Sequence, residues 1–132
     1  MSVVIDASVA FAWILPSQRT QTAQSFRMRP DIIAPFLFEY ELRAGLLAAE
    51  RRRRISRDDV DAEVSAALAL IAIEPPPHSF DPALALARST GLTFYDATYL
   101  ERALTAGAEL ATRDQALLDA AARIGIQIVD AR

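Results

Sequence analysis

The chain lacks most of the residues on which metal and covalent catalytic sites usually depend. It has no cysteine and a single histidine, His78, in 132 residues. Disulfide scaffolds, thiol nucleophiles and cysteine-ligated zinc or iron–sulfur sites are therefore excluded. His78 directly follows three prolines, which predicts an exposed loop residue and makes it a poor base for a Ser-His-Asp triad. Lysine is also absent, so catalysis is left to carboxylates, hydroxyls and arginine.

The composition predicts one globular domain, residues 1–132, with no general affinity for polyanions. Hydrophobic residues make up 52% of the chain and charged residues 23%, which is typical of a folded protein. The net charge is −3, so contact with a nucleic acid would need a local basic patch or a metal ion. No apolar run approaches the roughly 20 residues of a membrane span, and no basic segment marks a signal peptide. We expect a soluble cytoplasmic protein.

Short apolar runs alternate with longer helical patterns along the chain. Strands are predicted at 3–5, 32–34, 71–74, 109–112 and 126–129. Helices are predicted at 7–15, 17–27, 35–52, 57–70, 82–90, 95–106 and 115–123. This alternation predicts the α/β class, with a short, mostly parallel sheet between two layers of helices. Ligands of such sheets bind beyond the carboxyl ends of the strands, so the strand–helix junctions are the places to look for a site.

Three of these junctions carry an aspartate. Asp6 directly follows the first strand, Asp96 opens the helix after the segment Thr-Phe-Tyr at 93–95, and Asp114 follows the fourth strand. At 100° per residue, Asp96 and Asp114 begin the apolar faces of their helices. Aspartate is also a favoured N-cap residue, and an N-cap can occupy the same position. Each aspartate can therefore be a helix cap or a functional acid.

Glu41 is more informative because it lies inside a predicted helix and caps nothing. Its neighbours on the same helical face are all apolar or small. Glu39 projects to the opposite side, where Arg43 at i+4 can form a surface ion pair with it. A carboxylate on a core-facing stripe is costly unless it is paired or binds a metal ion. The position of Glu41 therefore favours a functional role.

Four carboxylates at one edge of a sheet would repel one another. A hard divalent cation, Mg²⁺ or Mn²⁺, would neutralise such a cluster because these ions prefer oxygen ligands. An ion of this kind supports phosphodiester hydrolysis without any histidine. An aspartyl-phosphate phosphotransferase also places an aspartate after its first strand. That class needs a second acid two residues later, where this chain has Ser8, and a lysine, which is absent.

The motifs together resemble those of PIN-domain ribonucleases, and most closely the VapC-like toxins of type II toxin–antitoxin pairs. The matching segments are Val-Val-Ile-Asp-Ala-Ser at 3–8, Ala-Pro at 34–35 with a glutamate six residues on, Tyr-Asp-Ala-Thr-Tyr-Leu at 95–100 and Thr-Arg-Asp at 112–114. The resemblance implies that an acidic quartet serves catalysis and metal binding: Asp6, Glu41, Asp96 and Asp114. It also implies supporting roles for the hydroxyls of Ser8 and Thr112. One departure is Ala44, where these toxins often carry asparagine.

The resemblance further implies a function and partners. It implies a Mg²⁺-dependent endoribonuclease, with Mn²⁺ as a substitute, that inhibits translation by cutting structured RNA. It implies a homodimer and a small VapB-like antitoxin that blocks the site. The alternative is a catalytically silent PIN-like module that only binds RNA or a partner, and the intact quartet argues against it.

Basic and aromatic residues outside the quartet also allow two interpretations. The densest positive charge is a run of four arginines: Arg51, Arg52, Arg53 and Arg54. This run is either a solvated helix end or a contact with the RNA backbone. Aromatic and aliphatic residues early in the chain are expected in the core or at a dimer surface: Phe11, Trp13 and Leu15. A later aromatic stripe is expected to divide between the core and a partner groove: Phe36, Phe38 and Tyr40.

Overall fold

A five-stranded parallel sheet forms the centre of the computed structural model, which describes all 132 residues. The strands are β1 (Val3–Ile5), β2 (Ile32–Ala34), β3 (Ala72–Ile73), β4 (Glu109–Thr112) and β5 (Ile128–Asp130). Their order is β3-β2-β1-β4-β5, and every neighbouring pair is parallel. All three residues of β1 are completely buried. The burial of β1 on both faces follows from its central place in the sheet.

Seven helices connect the strands and cover both faces of the sheet. They are α1 (Ala7–Ile14), α2 (Gln21–Ser25), α3 (Leu37–Arg51), α4 (Arg57–Ala69), α5 (Asp81–Thr90), α6 (Phe94–Ala106) and α7 (Gln115–Arg123). Helix α1 packs against α2 and α3, and α6 packs against both α5 and α7. The predicted three-layer α/β architecture with a parallel sheet is confirmed. None of the helices combines the length and the apolar character that a bilayer crossing requires.

The single helix predicted at 17–27 is wrong. The segment holds two short 3₁₀ turns, Pro16–Gln18 and Phe26–Met28, on either side of the five-residue helix α2. Thr20 interrupts the run because its Oγ1 accepts a hydrogen bond from the backbone N–H of Ala23 and so starts a new helix.

Two other boundaries differ from the prediction for local reasons. Phe80 occupies the cap position of α5, and Asp81 is its first helical residue, whose N–H donates to Ser79 Oγ. The last strand begins at residue 128 because the N–H of Ile126 still bonds back to Ala121 at the end of α7.

The order of the strands brings the predicted junctions together. From β1 the chain moves outward through β2 to β3, then returns across β1 to form β4 on its other side. The reversal leaves a crevice between the carboxyl ends of β1 and β4, the usual ligand position in such sheets. Asp6 directly follows β1 at this crevice, and Thr112 ends β4 beside it.

Close packing of α1 against α3 sets the position of Glu41. The ring of Phe11 lies directly against Gly45, where a Cβ atom would come within 2.1 Å of the ring. Only glycine allows this approach without displacing the ring or the helix. Trp13 and Leu15 are buried in the core, as predicted, and Phe11 is half-buried.

Candidate active site

Asp6 is held by two hydroxyl groups and does not cap α1. It occupies the N-cap position, but its side chain makes no capping hydrogen bond. Ser8 Oγ donates to Asp6 Oδ1 at 2.5 Å, and Thr112 Oγ1 donates to Asp6 Oδ2 at 2.7 Å. The interpretation of Asp6 as a helix cap is therefore wrong. The hydroxyls of Ser8 and Thr112 lie beside the quartet, as the resemblance implied, and each bonds to one oxygen of Asp6.

The environment of Asp6 makes its negative charge unfavourable. Only 7% of the residue is exposed. Burial raises the pKa of Asp6 from its ordinary 3.8 to about 6; the two hydroxyl hydrogen bonds act in the opposite direction, and the charges of Asp96 and Glu41 add to the rise. Arginine pairs with acids at five places in the chain, and none of these ion pairs includes Asp6, Glu41, Asp96 or Asp114.

Glu41 projects from α3 towards α6 and is held by a tyrosine. The hydroxyl of Tyr99 donates to Glu41 Oε1 at 2.6 Å. Burial raises the pKa of Glu41, the Tyr99 hydrogen bond lowers it, and the charge of Asp96 raises it again. Burial, followed by the charge of Glu41, also raises the pKa of Tyr99, so this phenol stays a neutral donor. Glu39 behaves as predicted and pairs with Arg43 at 2.6 Å on the surface.

Asp96 lies in the first turn of α6 without capping it. Thr93 is the N-cap residue, and its Oγ1 accepts a hydrogen bond from the backbone N–H of Asp96 at 3.1 Å. The N-cap interpretation of Asp96 is therefore wrong, and its half-buried carboxylate makes no capping hydrogen bond. Burial raises the pKa of Asp96, and the charge of Asp114 raises it further.

Asp114 caps α7, so the simpler interpretation is confirmed for this residue. Its Oδ1 accepts a hydrogen bond from the N–H of Leu117 at 2.9 Å. The residue is exposed, and its own N–H donates to Thr112 Oγ1 at 3.1 Å. Capping engages one carboxylate oxygen and leaves Oδ2 available to a ligand. Asp114 therefore combines a structural role with a place at the edge of the acidic site.

The donor set of this site fits a hard divalent cation. It offers four carboxylates whose charges act on one another, with oxygen as the only ligand atom and no basic partner. No group of three acids anywhere in the chain lies close enough to enclose a metal ion as it stands. An ion would have to draw the carboxylates inward.

The predicted arginine run lies away from the acids. Arg51 is ten residues beyond Glu41 on α3, a rise of about 15 Å along the helix axis. All four arginines are exposed, and Arg53 has a positive φ of 58° where the helix ends. The structure does not bring this run to the candidate site, and its contact with RNA stays a prediction.

Sequence reasoning missed Tyr99 as a functional residue. Its position three residues after Asp96, on the same helical face, was visible in the sequence. A buried tyrosine usually finds a hydrogen-bond partner for its hydroxyl, and an acid on a core-facing stripe is such a partner. The pairing itself joins positions 58 residues apart and depends on the tertiary fold.

An apolar groove adjoins the acidic site. Phe38 is completely buried, whereas Phe36 and Tyr40 are exposed. The stripe therefore divides between the core and the surface, and binding of a partner to its exposed part stays a prediction. The exposed pair helps to line a groove of about 210 Å³ whose wall also contains Phe80 and Tyr95. Leu37, Tyr40 and Tyr95 continue into a neighbouring depression that contains Glu41 and Ala44.

Comparison with known sequences decides the family. The sequence model of the PIN domain matches residues 3–123. The chain belongs to the PIN domain family. No curated protein sequence matches this PIN domain.

Solved structures share the fold of this PIN domain. The Pyrobaculum aerophilum protein PAE2754 superposes with a TM-score of 0.79 at 25% identity, covering 98% of this chain and 84% of the other. A chain of a toxin–antitoxin complex from Klebsiella pneumoniae gives 0.71 at 18%, with coverage of 99% and 98%. VapC20 from Mycobacterium tuberculosis, a toxin that cleaves the sarcin–ricin loop, gives 0.61 at 15%, with 98% of each chain covered. The fold of this PIN domain therefore recurs among toxins.

Proposed function

We propose that this PIN domain is a metal-dependent endoribonuclease that hydrolyses RNA phosphodiester bonds and acts as the toxin of a toxin–antitoxin pair. In this proposal it inhibits translation by cutting structured RNA in the cytoplasm. Family membership supports a nuclease, and the fold shared with VapC20 and the Klebsiella pneumoniae toxin–antitoxin protein supports a toxin.

One observation carries the proposal. Asp6 is buried, does not cap its helix, and lies where the charges of Glu41 and Asp96 raise its pKa, with no arginine paired to it. A protein that used these acids only for stability would have to tolerate their mutual repulsion without any compensating cation. Such an arrangement is typical of a functional site, where strained electrostatics serve a bound ligand.

The chain's own residues would prepare the site for a reaction. Asp6, Glu41, Asp96 and Asp114 would hold Mg²⁺ or Mn²⁺, which when bound supplies positive charge for the phosphate and lowers the pKa of a water molecule. Ser8 and Thr112 fix the two oxygens of Asp6, so this carboxylate cannot rotate. Tyr99 orients Glu41 in the same way. These neutral donors position the acids and leave their negative charge uncancelled.

The alternative is a catalytically silent module that binds RNA or a protein. Such a module would gain nothing from keeping Asp6 buried without a cation. Metal-independent RNA binding without cleavage would favour this alternative.

Cleavage of RNA in the presence and absence of metal tests the proposal. The purified protein should cut a structured RNA in Mg²⁺ or Mn²⁺ and should lose that activity in EDTA. The Asp6→Asn variant, purified in the same way, controls for a contaminating nuclease. Cleavage that persists in chelator, or that is equal in the two proteins, would overturn the metal-dependent site. Unchanged DNA of the same sequence would support RNA as the substrate.

Two protein partners belong to the proposal. A second copy of the chain is the occupant we assign to the apolar groove, because its lining carries four exposed aromatic side chains and no charged one: Phe36, Tyr40, Phe80 and Tyr95. Exposed patches of this kind mark protein interfaces. A VapB-like antitoxin that blocks the acidic site must instead present positive charge to the four carboxylates.

A further inference from the structure

Arg113 lies between two residues of the candidate site. Thr112 before it donates to Asp6, and Asp114 after it belongs to the acidic quartet. The backbone N–H of Arg113 donates to Ser8 Oγ at 3.0 Å. The hydrogen bonds that hold Asp6 therefore fix the backbone of Arg113 as well. The side chain of Arg113 starts at the edge of the acidic site.

The guanidinium of Arg113 has no anionic partner. Its Nη1 donates to the neutral Oε1 of Gln18 at 3.1 Å, and its Nε is buried without any hydrogen-bond partner. Four arginines lie within 4.0 Å of a carboxylate: Arg29, Arg43, Arg102 and Arg132. Of the remaining ten, all are exposed except Arg27 and Arg113. A half-buried cation without a counter-ion is costly, and an anionic ligand would relieve that cost.

We infer that Arg113 binds a phosphate of the RNA substrate beside the one that is cleaved. The inference rests on the proposed function. A guanidinium matches the geometry of a phosphate with two parallel N–H bonds, which makes arginine the usual choice for phosphate recognition. Gln18 holds the group in place without cancelling its charge, whereas an acid in the same place would have cancelled it.

The negative charge around the site explains why a cation at position 113 would help to bind RNA. The chain carries a net charge of −3. The negative charge of the quartet repels the phosphates of an RNA, except where a bound metal ion neutralises it. The arginine run at 51–54 lies at the far end of α3 and cannot supply attraction next to the cleaved bond. Arg113 can supply this attraction at the site itself, because it directly precedes Asp114 in the chain.

The test uses kinetics of cleavage of a short labelled RNA in Mg²⁺ by the full-length chain. We compare wild type with Arg113→Gln, Arg113→Lys and the matched control Arg123→Gln, an exposed arginine with no partner at the end of α7. We expect Arg113→Gln to raise KM about tenfold with a smaller change in kcat, a cost near the 1.4 kcal/mol of one tenfold step. The lysine variant should recover part of the loss, and Arg123→Gln should match wild type.

Salt dependence separates a phosphate contact from a structural role. Loss of one phosphate contact should reduce the slope of log(kcat/KM) against log[salt] by about one. The inference is overturned if Arg113→Gln has the KM and the salt slope of wild type. It is also overturned if the glutamine and lysine variants lose the same amount of activity and both melt at a lower temperature than wild type. If wild type itself fails to cut RNA in any divalent cation, the proposed function fails, and the inference with it.

Discussion

The hydroxyl of Tyr99 donates to Glu41 Oε1 at 2.6 Å and so joins α6 to α3 across the acidic site. This hydrogen bond explains how the Glu41 carboxylate can lie on the apolar, core-facing side of α3. A cation in the same place would stabilise Glu41 more strongly, but it would also compete with a metal ion for the carboxylate. A phenol whose pKa is raised by burial holds the acid in place and remains neutral.

Replacing Tyr99 with phenylalanine should weaken both the fold and the site. The change leaves a half-buried acid without its donor, which typically costs about 1–2 kcal/mol of unfolding free energy. The pKa of Glu41 should rise further, because the lost hydrogen bond is what lowers it. We expect cleavage to fall by roughly tenfold, as for other residues that orient metal ligands. Urea denaturation and cleavage rates against Mg²⁺ concentration measure the two effects. The control is Thr105→Val, which removes an exposed hydroxyl hydrogen bond to Glu101 on the same helix and should leave cleavage unchanged.

The glutamates of α3 offer a matched pair of charge-removing variants. Glu39→Gln should cost only the surface ion pair with Arg43, about 0.3–0.5 kcal/mol, and leave cleavage intact. Glu41→Gln should leave the metal-free fold as stable or more stable, because repulsion by Asp96 disappears. It should also bind Mg²⁺ more weakly and cleave RNA far more slowly. Equal rates for the two variants would remove Glu41 from the site.

Thr93 and Asp96 separate capping from function within one turn. Thr93→Ala should lower stability by about 1 kcal/mol through loss of the N-cap, with cleavage preserved at temperatures where the protein stays folded. Asp96→Asn should do the reverse, abolishing most cleavage while the melting temperature stays similar or rises. Thermal melts and initial rates on both variants provide the comparison. Rates near wild type in Asp96→Asn would contradict its place among the metal ligands.

The raised pKa of Asp6 predicts an unusual dependence of stability on pH. Between its ordinary value of 3.8 and its folded value of about 6, the folded state binds more protons than the unfolded state. The free energy of unfolding of the metal-free protein should therefore fall as pH rises through this window, by up to about 3 kcal/mol from this group. Mg²⁺ affinity should change in the opposite direction and increase with pH, because the ion needs the ionised carboxylate.

Denaturation at pH 4.5 and pH 7 in EDTA measures this dependence. The Asp6→Asn variant should lose the part of the slope that Asp6 contributes, and the raised pKa values of Glu41 and Asp96 should preserve a smaller slope of the same sign. Identical slopes in wild type and Asp6→Asn would show that Asp6 is not the group that titrates.

The apolar groove predicts the dimer interface. Phe80 is 54% exposed on its wall, and a charge there should disrupt association with a second copy. Light scattering should find wild type as a dimer and Phe80→Arg as a monomer. Leu104 is 50% exposed on α6 and does not line the groove, so Leu104→Arg is the control and should remain dimeric. A monomeric wild type would leave the groove to another partner.

The sequence predicted the sheet and helices well because their patterns are local. Val3–Ile5 is a continuous apolar run, and buried parallel strands have this pattern. The segment at 17–27 was harder because polar residues allow a helix without requiring one, and the cap at Thr20 decided the outcome. The start of β5 at residue 128 was missed because the hydrogen bond from Ile126 N–H to Ala121 at the end of α7 leaves no mark in the pattern of apolar residues.

The candidate site was only partly visible in the sequence. Glu41 could be singled out because helical geometry places it among apolar residues. The three aspartates had the same sequence pattern, yet the structure gives them different roles: Asp114 caps its helix, whereas Asp6 and Asp96 do not. At Asp96 the difference arises because Thr93 Oγ1 accepts the capping hydrogen bond, and at Asp6 because the hydroxyls of Ser8 and Thr112 donate to both carboxylate oxygens. Side-chain contacts of this kind depend on where the fold brings distant segments.

The hydrogen bond from Thr112 to Asp6 spans 106 residues of the chain. During synthesis, Asp6 and Glu41 are made well before β4 and Asp114. A growing chain on the ribosome therefore carries Asp6 and Glu41 without the groups that complete their surroundings. Contacts of such long range also form late and slowly in folding. The acidic site is therefore complete only after β4 and Asp114 have been made, and a partly synthesised chain that ends before them has no complete site.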